Sequence, residues 1–231
     1  SQEYILKSET TLDREILQKA FDGVSQTHDM LRAIYRCDDG NNLIQEIRPV
    51  NTRVCEINEI HLESDDLNRE IGKILLESNS SLDISESLIK INLLHYNGKS
   101  YLLFIIHHLI IDGVSWSILM DDLTYLYTLF LENEEANLLK PYPYKSWVED
   151  VKNLASNISE SEKKHWFEIN KRLNDSKIKG KSKIFAFNMK SSFDSNNLWM
   201  LSEDEFLALS IARAYKKTYG EDIIFNKESY G

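Results

Sequence analysis

Two adjacent histidines at the end of an apolar segment are the side chains of this chain best suited to chemistry. His107 and His108 close that segment, and Asp112 and Gly113 follow a few residues later. An imidazole is the side chain best able to transfer protons near neutral pH, and a nearby carboxylate can orient it. The pattern therefore predicts acid–base chemistry. No metal site is expected at this pair, because no nearby Cys, Glu or His supplies a third ligand at the usual spacing.

The residues on either side predict a buried strand followed by a helix. The segment Tyr101–Ile106 is apolar on both faces, as in a central strand, and Asn97-Gly98 before it is a hairpin turn signal. From Trp116 onwards apolar residues recur at helical spacing. The loop 109–114 therefore joins a central strand to a helix, with Gly113 allowing a tight bend or a close backbone approach.

The pattern His-His-x-x-x-Asp-Gly resembles the signature of the condensation-domain superfamily of nonribosomal peptide synthetases, which is related in fold to chloramphenicol acetyltransferase. The longer pattern His-His-x-x-x-Asp-x-Val-Ser-Trp-x-Ile-Leu resembles the epimerization branch of that superfamily. This sequence has each of its fixed positions, at His107, His108, Asp112, Val114, Ser115, Trp116, Ile118 and Leu119.

The resemblance implies a role for each residue of this motif. His108 faces the tunnel where substrates meet and is the catalytic residue. The supporting residues hold the loop in shape and are His107, Asp112, Gly113, Ser115 and Trp116. For an isolated pair, two core histidines with satisfied ring nitrogens would be the better interpretation, and for His107 that interpretation is retained.

A second resemblance lies near the end of the printed sequence. Epimerization domains carry Glu-Gly-His-Gly-Arg-Glu after a helix and a strand, and here Glu228 and Gly231 match while Ser229 and Tyr230 depart from it. The resemblance implies that Glu228 faces His108 across the tunnel as a second acid/base group. From Glu228 alone, an exposed glutamate at a strand end is the alternative.

Alternating strands and amphipathic helices predict an α/β fold. Together with the resemblance, this predicts a chloramphenicol acetyltransferase-like lobe with a layered mixed sheet and helices over residues 1–176, and the start of a second, truncated lobe of the same kind over residues 177–231. A helix is expected from Asp13, and Ser64 is expected to cap another. In the family two such lobes form a V, with the active site in the cleft between them.

Composition predicts a soluble cytoplasmic domain. Of the 231 residues 42% are hydrophobic, yet no apolar run approaches the ~20 residues that span a bilayer, so no membrane association is expected. The formal charge of −10 argues against nucleic acid as a partner. Cys37 and Cys55 alone cannot form a disulfide framework, which favours a reducing compartment.

Three function classes remain open. The first is epimerization, from L to D, of the Cα centre of an aminoacyl or peptidyl thioester, with His108 and Glu228 as acid/base groups. Either could remove the proton of the L centre. The second is a condensation domain that forms peptide bonds, in which Glu228 has no necessary role. The third is an inactive fragment or docking module, because the resemblance covers only about half of the family's fold.

The resemblance also implies the partners. The substrate is tethered to the 4′-phosphopantetheine of a peptidyl carrier (thiolation) domain, and adenylation and condensation domains are neighbours. No metal and no cofactor of its own is implied for the chain.

Overall fold

The computed structural model describes residues 1–63, 66–175, 203–220 and 222–223. The chain is divided into two compact units, Ser1–Asn153 and Leu154–Gly231. The predicted lobe boundary between residues 176 and 177 falls outside the described residues and stays a prediction. None of the helices in the described ranges is long and apolar enough to cross a membrane.

Six strands and six α-helices are found in the described ranges. The strands are β1 (Gln2–Ser8), β2 (Ala33–Cys37), β3 (Leu43–Ile47), β4 (Ile57–His61), β5 (Ile89–Tyr96) and β6 (Lys99–Ile106). The helices are α1 (Arg14–Thr27), α2 (Leu67–Ser80), α3 (Gly113–Leu131), α4 (Tyr144–Ser156), α5 (Glu160–Asp175) and α6 (Glu203–Tyr219), with a short 3-10 helix at Asp29–Arg32.

The main sheet of the first unit is mixed and covered on both faces. Its strand order is β1-β6-β5-β4, with β4 and β5 parallel and the other pairs antiparallel. Helices α1 and α3 pack on one face and α2 on the other. Alternation along β6 sends Phe104 and Ile106 to the α1/α3 side and Leu103 and Ile105 to the α2 side. All four are fully buried, which confirms β6 as the predicted central strand.

The β5–β6 hairpin fixes where the two histidines emerge. Asn97 (φ 49°) and Gly98 (φ 74°) both have positive φ, as a two-residue type I′ turn requires, and Tyr96 pairs with Lys99. The register set by this turn brings Ile106 opposite Ile89 at the far end of the hairpin. The pair His107–His108 follows directly, at the sheet end away from the turn.

Both predicted helix starts next to the sheet are capped by aspartate. Asp13 accepts hydrogen bonds from the backbone N–H groups of Glu15 and Ile16 and begins α1, as predicted. Helix α3 begins at Gly113, so that the last two residues of the predicted loop 109–114 form its first turn, and it buries the predicted apolar face, Trp116, Leu119, Leu123 and Leu126. This face packs against α1, so the loop before α3 is held between β6 and a helix fixed by core contacts.

Two features differ from the sequence expectations. Strand β4 was not predicted. Helix α2 is capped by Asp66, whose side chain accepts from the N–H of Arg69, whereas Ser64 lies outside the described residues. In the second unit, helix α6 ends at Gly220 (φ +75°), and its apolar residues Phe206, Leu207, Leu209 and Ile211 are 38–48% exposed. The described residues of that unit include no strand against which this face would be buried.

Candidate active site

The loop that carries the two histidines is held at three points. At its start the N–H of His107 donates to the carbonyl of Leu88 (2.9 Å). In its middle the hydroxyl of Tyr35, on β2, donates to the carbonyl of Leu109 (3.0 Å). At its end Asp112 caps α3. These contacts tie the loop to the residue before β5, to β2 and to α3, so the position of the histidines is set from three sides.

Asp112 is engaged by the helix that it caps. Its Oδ1 accepts hydrogen bonds from the backbone N–H of Ser115 (2.8 Å) and from the Ser115 hydroxyl (2.6 Å). These two bonds lower the pKa of the Asp112 carboxyl below its ordinary value. The bend before α3 uses extended backbone at Asp112 (φ −134°, ψ −177°), and Gly113 has no positive φ. The arrangement suits Asp112 for anchoring the loop rather than for carrying a proton.

His107 is partly buried and bonded within its own loop. Its Nδ1 accepts a hydrogen bond from the N–H of Leu109 (3.2 Å). Burial, followed by the positive charges of the chain's amino terminus and of His108, lowers the pKa of His107. The ring is therefore held in its neutral form as part of the loop structure.

His108 is exposed, and both of its ring nitrogens have polar neighbours. Its Nδ1 lies 2.8 Å from the carbonyl oxygen of Ile111, and its Nε2 lies 3.0 Å from Nε2 of Gln2. A carbonyl oxygen only accepts hydrogen bonds, so Nδ1 of His108 is assigned the proton.

The orientation of Gln2 assigns the other nitrogen. The indole Nε1 of Trp116 lies 2.7 Å from Oε1 of Gln2, and an indole N–H can only donate. The amide oxygen of Gln2 therefore faces Trp116 and its NH2 group faces His108, where it donates to Nε2. In this arrangement His108 is the neutral Nδ1–H tautomer, and its Nε2 carries the lone pair of a base.

Two aromatic contacts hold the indole of Trp116, which donates the hydrogen bond to Gln2, in place. The indole of Trp116 stacks on Tyr4 with ring centroids 5.3 Å apart and meets the ring of Phe104 edge-on at 6.1 Å. Gln2 pairs with Ile106 across β1 and β6, which places its side chain beside the residues that follow β6. The packing of the sheet and α3 thus determines which face the His108 ring presents.

Of the sequence-predicted site residues, the structure brings five into this loop and the first turn of α3: His107, His108, Asp112, Ser115 and Trp116. Gly113 begins the same helix. Glu228 lies outside the described residues. Gln2 was missed, because it is 106 residues from His108 and only the antiparallel register of β1 with β6 brings them together. A glutamine near the start of a predicted strand is a common feature of sequences, so nothing in the sequence marked Gln2 as a site residue.

Apolar surface and a cavity lie near the loop. Leu109, Val114 and Ile118 are each more than 40% exposed, so the surroundings of His108 include apolar side chains open to contact. A separate cavity of about 290 Å³ is lined by apolar and aromatic groups, including Ile111, Ile118, Tyr142 and Trp147. His108 does not line this cavity.

The cysteines offer no competing nucleophile in this region. Burial raises the pKa of the Cys55 thiol to about 12, which keeps it protonated at neutral pH. Cys37 lies at the exposed end of β2.

Comparison with known proteins identifies relatives along nearly the whole chain. Gramicidin S synthase 1 from Brevibacillus brevis is 26% identical over 222 residues, which cover 94% of this chain and 20% of that protein. Surfactin synthase subunit 1 from Bacillus subtilis (strain 168) is 29% identical over 178 residues, 73% of this chain and 5% of the relative. The chain thus spans a fifth or less of these two relatives.

Solved structures share the fold. The epimerization domain from the third module of tyrocidine synthetase B matches with a TM-score of 0.62 and 26% identity, over 79% of this chain and 41% of that one. The first condensation domain of the CDA synthetase matches with a TM-score of 0.52 and 16% identity, over 61% and 37%. These matches confirm the predicted α/β, chloramphenicol acetyltransferase-like fold.

The family model of the condensation domain matches residues 1–208. It therefore covers the sheet, the two histidines and the capped helix that positions them. With the relatives among peptide synthetases, this match means that the chain belongs to the condensation-domain family of nonribosomal peptide synthetases.

Proposed function

We propose that this chain is part of an epimerization domain, which inverts the Cα centre of an aminoacyl or peptidyl thioester held on the phosphopantetheine of a carrier domain. The observation that carries the proposal is the state of His108. Its Nδ1–H is directed to the carbonyl of Ile111, so its Nε2 is the nitrogen that can accept a proton. The contact with Gln2 sets the direction of this lone pair and is exchanged for the substrate's proton.

The reaction requires two groups on opposite faces of Cα. When Nε2 of His108 takes the Cα proton, the C–H electron pair moves into the thioester and forms an enolate. A protonated Glu228 then returns a proton to the opposite face, and the electron pair of the enolate forms the new C–H bond. The reverse reaction exchanges the roles of the two groups, so each acts as base in one direction and as acid in the other.

The enolate oxygen needs a hydrogen-bond donor in the same site. The N–H groups of Leu109 and Ile110 already donate to His107. The remaining candidates are the backbone amides of residues 111–113 and His108 itself after it has taken up the proton. Leu109, Val114 and Ile118 supply apolar surface beside the ring, as a site that excludes water would need.

The choice of epimerization over condensation rests on the longer motif and on one comparison. Val114, Ser115 and Trp116 fit the epimerization pattern, and Trp116 holds Gln2 against His108. The epimerization domain of tyrocidine synthetase B is 26% identical to this chain, whereas the likeness to the condensation domain of the CDA synthetase, at 16%, shows the fold alone. Peptide-bond formation remains the second candidate, because the family model that matches is that of the condensation domain.

The test is replacement of His108 in the complete domain with its carrier. His108→Ala should abolish D/L equilibration of the loaded aminoacyl thioester, a loss of about 10²–10⁴-fold or more for a general acid–base group, while the domain stays folded. The measurements are chiral analysis of the released amino acid and uptake of solvent deuterium at Cα. His107→Asn is the matched control, because its amide oxygen can replace Nδ1 as the acceptor for Leu109, and it should retain inversion.

Two results would overturn the proposal. Deuterium exchange at the wild-type rate in His108→Ala would remove His108 from proton transfer. Formation of a dipeptide from donor and acceptor thioesters by the wild-type domain, without inversion, would replace epimerization by condensation.

A further inference from the structure

Three side chains with metal-binding atoms meet at the opposite end of the sheet from His108. Strands β4 and β5 are parallel, and their register places His61 directly opposite His95. Glu59 lies two residues before His61, so both side chains point to the same face of β4. The ligand atoms of Glu59, His61 and His95 all lie within 4.8 Å of one another.

The central ligand of this cluster is held by buried groups. His95 has a side chain only 10% exposed, and its Nε2 lies 2.8 Å from Oε1 of Glu59. Its other nitrogen, Nδ1, lies 3.1 Å from the hydroxyl of Ser100. This serine is fully buried, and its oxygen accepts a hydrogen bond from the N–H of Leu12 (2.9 Å). Hydrogen bonding of this kind to the second ring nitrogen orients a metal-binding histidine and fixes its tautomer.

The two imidazoles lie side by side. The rings of His61 and His95 stack with centroids 4.8 Å apart and planes at 26°. The ligand atoms of both rings also lie within 4.8 Å of a carboxylate oxygen of Glu59. His61 and Glu59 are exposed, so their side chains can rotate towards a common ion without disturbing the core.

We propose that Glu59, His61 and His95 bind a divalent transition-metal ion, with zinc as the representative. Two imidazole nitrogens and one carboxylate oxygen are ligands that zinc prefers, with water completing a tetrahedron. Bond lengths of about 2.0–2.2 Å would bring the three donor atoms closer together than they now lie, a movement of about 1 Å that side-chain rotation of the exposed Glu59 and His61 provides. Two imidazoles favour zinc over magnesium or calcium, which take oxygen ligands.

The bound ion would join the edge strand β4 to β5. The cluster lies beside the β5–β6 turn, and His107 follows the far end of β6, seven residues after Ser100. At about 3.3 Å per residue this separates the cluster from the His107–His108 pair by roughly 20 Å. The proposal is therefore independent of the reaction assigned to His108 and concerns the stability of the sheet.

The test is zinc binding by the chain after treatment with a chelator. Equilibrium dialysis with metal analysis should give one zinc per chain that is lost in both His61→Asn and Glu59→Gln. Substitution with Co²⁺ should give the visible absorption of a tetrahedral site in the wild type, and zinc should raise the melting temperature of the wild type but not of the two variants. Far-UV circular dichroism should show that both variants fold.

His165→Asn is the matched control, because it removes an exposed histidine from the second unit and should leave one bound zinc. The proposal is overturned if the wild type binds no zinc, or if zinc binding is unchanged in His61→Asn and Glu59→Gln. Either result would mean that the three residues form only the hydrogen-bonded pair Glu59–His95 with His61 stacked beside it.

Discussion

At the level of single residues, His107 and His108 are neighbours in sequence and differ in their exposure and their hydrogen-bond partners. The ring of His107 accepts a hydrogen bond from its own loop and is partly buried. The ring of His108 is exposed, with one nitrogen on a carbonyl and the other on an amide. The proposed function gives these adjacent imidazoles different roles, His107 in the loop structure and His108 as the base, and two measurements can separate them.

The lowered pKa of His107 predicts a pH dependence of stability. Below about pH 6.5, the ordinary value for histidine, the unfolded chain takes up a proton at this residue while the folded chain does not. The free energy of unfolding should therefore fall as the pH falls from about 7 to 5 through this contribution. Urea titrations of wild type and His107→Asn should show a smaller fall in the variant. Equal dependence in both proteins would contradict the prediction, and His165→Asn should behave like the wild type.

The orientation of Gln2 predicts the tautomer of His108. Trp116→Phe keeps an aromatic ring against Tyr4 and Phe104 but removes the N–H that holds the amide oxygen of Gln2. Nitrogen-15 chemical shifts of the neutral imidazole should report Nδ1–H in the wild type and a mixture of tautomers in the variant. A wild-type ring protonated at Nε2 would show that Gln2 does not set the direction of the base.

At the level of elements, the loop before α3 is fixed to the helix because its last residue, Asp112, is the N-cap of α3. The acidic side chain, the serine three residues later and the buried face from Trp116 to Leu126 form one unit: a cap, its partner and the packing that holds the helix. The motif that identifies the family is thus largely a description of how a strand is joined to a helix. His108 is the exposed histidine of this motif, and its Nε2 faces the side-chain amide of Gln2.

The N-cap at Asp112 makes a measurable contribution to the free energy of unfolding. Asp112→Ala should lower the free energy of unfolding by about 1 kcal/mol, within the range of 0.5–2 kcal/mol for loss of an N-cap. Asp112→Asn should retain most of it, because an asparagine oxygen can also accept from Ser115. The pKa of Asp112 is lowered in the fold, so the difference between wild type and Asp112→Ala should be present above about pH 3.8 and shrink as the pH falls below it. Urea unfolding measures all three, and an equal loss in Asn and Ala would contradict a capping role.

Local patterns predicted these elements well, and long-range pairing was the part that they could not supply. Asn97-Gly98, Asp13 and the apolar spacing from Trp116 each specify structure within a few residues, and each was found as predicted. Gln2, Glu59 and His61 acquire their neighbours only through strand register. Nothing near them in sequence indicates that register, so their roles became visible only in the folded sheet.

At the level of the whole molecule, the proposed mechanism takes one acid/base group, His108, from the described part of the chain and a second, Glu228, from the resemblance alone. The domain relatives in solved structures are more than twice as long as the matched region, which covers 41% of the epimerization domain of tyrocidine synthetase B. The proposed inversion is thus a property of a complete domain, and its test belongs there.

Glu228→Gln separates inversion from condensation in the complete domain. Glutamine keeps the size and much of the hydrogen bonding of glutamate but cannot exchange a proton in the same way. Inversion should stop, carrier binding should persist, and slow deuterium uptake from one face should remain because His108 is intact. Chiral analysis with mass spectrometry measures both. Normal epimerization by Glu228→Gln would remove Glu228 from the mechanism.

The bridge from Gln2 to His108 has a consequence for heat inactivation. Gln2 is on β1, which is an edge strand of the four-stranded sheet, and strands of this kind can open at a lower free energy than the core. When β1 detaches, His107, His108 and the capped helix can all stay in place. His108 then loses its hydrogen bond from the side-chain amide of Gln2. On warming, catalytic competence should therefore decline together with hydrogen-exchange protection of β1, before the sheet and its helices lose their cooperative structure.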